Sequence, residues 1–86
     1  MKKKNVFILC ASECSKKGPM FWGYMKEENA KPLAFTVCAD FYETLLNECE
    51  GDYMLADFKA IGYALRVKGY NTKNLVIQTK EGVIYE

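Results

Sequence analysis

Residues 4–11, KNVFILCA, carry apolar side chains on both sides of a strand. Val6, Ile8 and Cys10 alternate to one face, and Phe7, Leu9 and Ala11 to the other. Such a strand is covered on both faces and paired on both edges, so it belongs in the middle of a sheet. The rest of the chain must supply its neighbours. A loop over SECSKKGP, punctuated by Gly18 and Pro19, leads into a second strand at 20–26. The turn EENAKP leads into a third at 33–38. Connections of this length predict an antiparallel meander.

Two helices follow. Asp40 is an N-cap residue with Glu43 three positions on, as in a capping box. The helix predicted at 41–50 puts Phe41, Tyr42, Leu45, Leu46 and Cys49 on one face and ends at Gly51. Asp52 caps a longer helix that runs to about 68 and stops at Gly69. That helix is apolar twice over. Met54, Phe58, Ile61 and Leu65 form one stripe, and Ala56, Ala60, Tyr63 and Val67 form another on the opposite side. Asp57, Lys59, Arg66 and Lys68 are confined to the flanks. A helix of this kind requires two neighbours: the sheet, and either the first helix, a second copy of the chain or a partner protein. A hairpin of strands at 75–79 and 83–85 closes the sequence. The order βββααββ predicts a single α+β domain over 1–86, with a mainly antiparallel sheet and two helices packed on one face. With 50% hydrophobic residues, 86 residues can fold without a metal or a disulfide staple.

Charge is segregated along the chain. Residues 1–26 hold six lysines against Glu13. Residues 27–58 hold Lys31 against eight acids, and 59–86 hold five bases against Glu81 and Glu86. If the two basic thirds meet, one side of the domain is positive and the other negative. The apolar run 6–11 is shorter than the roughly 7–15 residues of a secretory hydrophobic region. No stretch approaches the ~20 apolar residues of a membrane span. A cytoplasmic protein with reduced thiols and no membrane partner is expected.

The segment GPMFWGYM concentrates aromatic and sulfur surface. On a strand, Met20, Trp22 and Tyr24 point one way and Phe21, Gly23 and Met25 the other. Phe21 and Met25 suit the helix side, with Gly23 leaving room for a helix backbone. Trp22 and Tyr24 then lie on an open sheet face beside Met20, Lys16 and Lys17; the alternative is that both faces are core. Such a face suits a protein interface, because Trp, Tyr and Met gain most when desolvated at a contact. The candidate partner-binding residues are therefore Trp22, Tyr24, Met20, Lys16 and Lys17, with Ala56, Ala60, Tyr63 and Val67 of the second stripe. The expected partner is a protein or a second copy of the chain. Single-stranded nucleic acid stacked on the aromatics ranks second, because arginine occurs once and the acidic middle repels phosphate. A small-molecule (nucleotide) sponge ranks third. In size, catalytic bareness and charge segregation the chain looks like the small inhibitors that phages and mobile elements make against host defence proteins.

Catalysis has little to work with. There is no histidine, which removes the commonest general base and the Cys-His and Ser-His systems. Neither GxxxxGK[ST] nor GxGxxG occurs. The carboxylate pairs Glu27/Glu28 and Asp40/Glu43 read as a turn and a helix cap. Of the four cysteines only Cys10 and Cys14 have zinc-knuckle spacing; Cys10, Cys38 and Cys49 fall at core-like positions, while Cys14 stands in a loop beside two lysines. The expectation is no enzyme activity, no cofactor and no metal. The purified protein should contain no stoichiometric metal, and a chelator should leave its Tm unchanged. One zinc per chain by elemental analysis reverses this reading.

Overall fold

The computed structural model describes residues 5–26 and 31–85. The expected strand start at Lys4 and the Glu27/Glu28 pair in the second turn lie outside the described residues. The elements are β1 (Asn5–Ser15), β2 (Gly18–Met25), β3 (Leu33–Thr36), α1 (Ala39–Glu48), α2 (Tyr53–Val67), β4 (Leu75–Thr79) and β5 (Gly82–Tyr85), in the order βββααββ. They form one five-stranded sheet, β3-β2-β1-β4-β5, with both helices on one face. β1 is the central strand, as its two apolar faces require. Its pairing with β2 is antiparallel, as are those of β2 with β3 and β4 with β5. β4 runs parallel to β1 from Asn5↔Leu75 to Ile8↔Gln78. Asn5 Nδ2 donates to the Lys73 carbonyl at 2.5 Å and ties the two strand starts together.

β1 is longer than its apolar run. Residues 12–15, expected in a loop, continue the strand, and Lys16 and Lys17 alone make the turn into β2. Leu9 opposes Gly23 and Ala11 opposes Trp22, so Cys10 is the extra residue of a β-bulge. The bulge shifts the phase. Ala11 and Glu13 pair with Trp22 and Met20 on the open face, while Ser12 and Cys14 pair with Phe21 and Pro19 on the helix face. Residues 10–15 are exposed because this half of the hairpin overhangs the helices. With nothing to bury there, the sequence shows no apolar alternation.

The core unites Phe7, Phe21, Met25, Leu75 and Ile77 of the sheet with Leu45, Ala56, Ala60, Ile61 and Leu65 of the helices. Phe35 bridges Phe7 and Phe21, with ring centroids 6.1 and 5.8 Å away. Gly23 serves the sheet and not a helix. A Cβ there would lie 2.1 Å from the Ile8 carbonyl oxygen and 2.6 Å from Phe7 Cζ. The space expected for a helix backbone holds the ring of Phe7.

α1 begins earlier than its carboxylates suggest. Cys38, not Asp40, is the N-cap, and no side chain caps the helix. The hairpin does so instead: Ala39 N–H donates to the Lys17 carbonyl at 3.0 Å. Asp40 falls in the first turn, where its charge favours the helix dipole. Asp52 caps α2 as expected, accepting from the N–H groups of Met54 and Leu55 at 3.1 and 3.2 Å. A Schellman bond from Tyr70 N–H to the Leu65 carbonyl ends the helix at Gly69. Among the described residues no helix is long and apolar enough to cross a membrane.

The second neighbour of α2 is α1. Tyr42 bonds to Asp57, and the Phe41 and Tyr63 rings meet at 4.8 Å. This divides the stripe expected on α2. Ala56 and Ala60 are fully buried and offer nothing to a partner, whereas Tyr63 and Val67 are 52% and 68% exposed. Ala60→Arg should therefore destabilise the fold by about 3 kcal/mol or more, by overpacking and an unpaired buried charge. Val67→Lys should stay within about 0.5 kcal/mol of the parent. Chemical denaturation of the two variants checks the division.

Candidate functional site

Two surfaces stand out, on opposite sides of the sheet. The first is the face that the helices leave open. Strand alternation and register place Val6, Ile8, Met20, Trp22, Tyr24, Val76 and Val83 on it, all half-buried or exposed. Trp22 lies on β2 between two small cross-strand neighbours, Ala11 and Ala34. No bulky side chain stands directly opposite it, and the indole is half-buried. Tyr24 is paired with Ile8, and Met20 with Glu13 and Thr36.

Lysines occupy both ends of this sheet. Lys16 and Lys17 at the β1–β2 turn and Lys80 at the β4–β5 turn mark one end; Lys26, Lys31 and Lys73 mark the other. Asp40, Glu43, Glu48, Glu50, Asp52 and Asp57 belong to the helical segment. The parallel β1–β4 pair brings Lys73 and Lys80 into the layer of the N-terminal lysines, while Asp40 to Asp57 share the helical layer with Lys59, Arg66 and Lys68.

The second surface is a cleft of ≈ 450 Å³ on the helix side, under the overhanging hairpin. Phe21 and Leu46 line it with Tyr42, Tyr53, Asp57 and Glu43, facing Ser12 and Cys14 on β1. Tyr42 Oη donates to Asp57 Oδ1 at 2.5 Å, across the two helices. Burial pushes the Asp57 carboxyl above its ordinary range, and the tyrosine hydrogen bond only partly offsets that. Burial first, then the bond to Asp57 and its charge, raise the Tyr42 phenol well above its ordinary value, with smaller effects from Tyr53 and Cys14. A second cleft of ≈ 360 Å³ opens on the far side of Asp57, between Met54 and the strand ends at Thr79 and Ile84.

Of the residues expected to bind a partner, Met20, Trp22, Tyr24, Lys16 and Lys17 share the sheet layer, Tyr63 and Val67 lie on the surface of α2, and Ala56 and Ala60 are core. The pairing of Tyr42 with Asp57 had no sequence signal: one read as an apolar helix position, the other as a solvated flank. Val76 and Val83 were legible as strand positions but not as parts of this face. The cysteines need a larger correction. All four are free and Cys49 is buried, but Cys10 and Cys38 are exposed, as the bulge residue and the α1 N-cap. Cys14 sits in a strand opposite Pro19, not in a loop. Among the described residues no three His, Cys, Asp or Glu side chains converge as a metal site requires.

The raised Asp57 pKa has a definite sign in stability. The folded state holds that proton more tightly than the unfolded chain, so the stabilisation is full below 3.8 and is lost as pH rises through the elevated pKa. Asp57→Asn keeps an acceptor for Tyr42 and removes the buried charge. The variant should match or exceed the parent at neutral pH, and the difference should shrink on acidification toward 3.8. Urea denaturation across that range tests it; a gap that widens on acidification contradicts the assignment.

Compared with known proteins, the chain matches no family model, no curated protein and no solved structure.

Proposed function

We propose that the chain is a non-enzymatic protein-interaction module that docks through the open face of its sheet. The observation that carries this is an apolar sheet face left uncovered by the helices and carrying Trp22, whose cross-strand neighbours are both alanine. A face of this kind gains free energy when water is removed from it, and its tryptophan, tyrosine and methionine are the side chains that dominate such contacts. The partner is a protein surface with an apolar patch framed by carboxylates, complementary to lysines at both ends of the sheet. A second copy packed face to face with its strands aligned would bring those lysine ends together, so it is the weaker occupant. Action as an inhibitor that covers a partner's surface suits a domain without catalytic groups, and its free thiols suit the cytoplasm.

One observation favours nucleic acid more than the sequence did. Six acidic residues, from Asp40 to Asp57, lie in the helical layer away from Trp22, and among the described residues Glu13 beside Met20 is the acid that register places on the open face. Salt separates the readings. A photo-crosslinker replacing Ala34, beside Trp22, should join the chain to a distinct protein, and Trp22→Ala should abolish the product; a crosslinker replacing Glu48 should not give it. Crosslinks only between copies of the chain overturn the proposed partner. Oligonucleotide binding that quenches Trp22 and weakens steeply between low and physiological salt replaces it with nucleic acid.

A further inference from the structure

The cleft under the hairpin has a chemistry of its own, independent of the open face. Its floor is the buried ring of Phe21 with Leu46, and Tyr42 and Tyr53 supply aromatic walls. Asp57, Glu43 and Glu13 all line it, and no lysine or arginine does. The Tyr42 hydroxyl holds Asp57 Oδ1 and fixes the carboxylate orientation, leaving the second oxygen for a ligand. Aromatic faces attract cations through their quadrupoles, and a partly desolvated carboxylate without a basic partner in the lining attracts them by charge. Anions meet the opposite field. We propose that this cleft binds an alkylammonium group, with its aliphatic chain against Phe21 and Leu46 and its charge between Asp57 and the tyrosine rings. A volume of ≈ 450 Å³ suits a small amine or the end of one lysine side chain.

Both sources of that group are testable. The isotope-labelled protein is titrated with cadaverine, with acetyl-Gly-Lys-Gly-amide, and with 1-pentanol as an uncharged chain of similar length. At least one ammonium probe should give saturable NMR shifts at Tyr42, Leu46 and Tyr53. Stronger binding of cadaverine assigns the cleft to free amines, and stronger binding of the peptide assigns it to a lysine side chain. Asp57→Asn, which retains the Tyr42 contact, should weaken binding about tenfold, and Tyr53→Ala should weaken it several-fold. Trp22→Ala should leave it unchanged while removing the anchor of the open face, so the two sites fail separately. Equal shifts with 1-pentanol, unchanged affinity in Asp57→Asn, or no saturation with either ammonium probe overturns the proposal.

Discussion

The ring of Phe7 fills the space that a side chain at position 23 would need. That contact fixes how the two longest strands face each other. Phe7 lies in the central strand and is wholly buried, with its partner Met25 beside it and Phe35 reaching in from the sheet edge. Because the ring must rest over residue 23, only glycine leaves β1 and β2 close enough to pair. Register follows from that seat, and the bulge at Cys10 follows just beyond it. The bulge turns the outer half of β1 by one position, bringing Ala11 beside Trp22 and Ser12 and Cys14 over the helix-side cleft. Both candidate surfaces thus depend on one aromatic ring and one missing methyl group.

The fold class was legible because local rules agreed with tertiary demand. A strand apolar on both faces went to the centre, the alternation through Phe21 and Met25 pointed inward, and Asp52 capped the helix it precedes. The failures have physical causes. The start of α1 is satisfied by a carbonyl from a hairpin more than twenty positions earlier, so no capping signal was needed in its own sequence. The overhanging part of β1 buries almost nothing and therefore resembles a loop. The stripe through Ala56 and Val67 is straight on a helical wheel but crosses from core to surface, because neighbouring elements cover only part of its length.

The candidate sites were legible to different degrees for the same reason. Trp22 and Tyr24 are placed by period-two alternation, a local property. The small neighbours of Trp22 are not local, because Ala11 and Ala34 belong to two other strands. The cleft around Asp57 depends wholly on how α1 crosses α2 and on how far the hairpin projects. The charge pattern lies between these cases: the three blocks are visible in the sequence, but Lys59, Arg66 and Lys68 of the last block fall in the helical layer, and the parallel pair of β1 with β4 brings only Lys73 and Lys80 to the sheet.

That parallel pair spans nearly the whole chain, joining Asn5 to a carbonyl sixty-eight positions away. During synthesis from the N-terminus, the β1–β2–β3 meander exists well before β4 does. Until the last hairpin is made, the central strand of the finished sheet is an edge strand, with Val6 and Ile8 beside a bare row of amides and carbonyls. Such an edge is a template for any extended chain that reaches it. The two helices that separate the meander from its final strands therefore also set how long the nascent domain carries an unpaired hydrophobic edge.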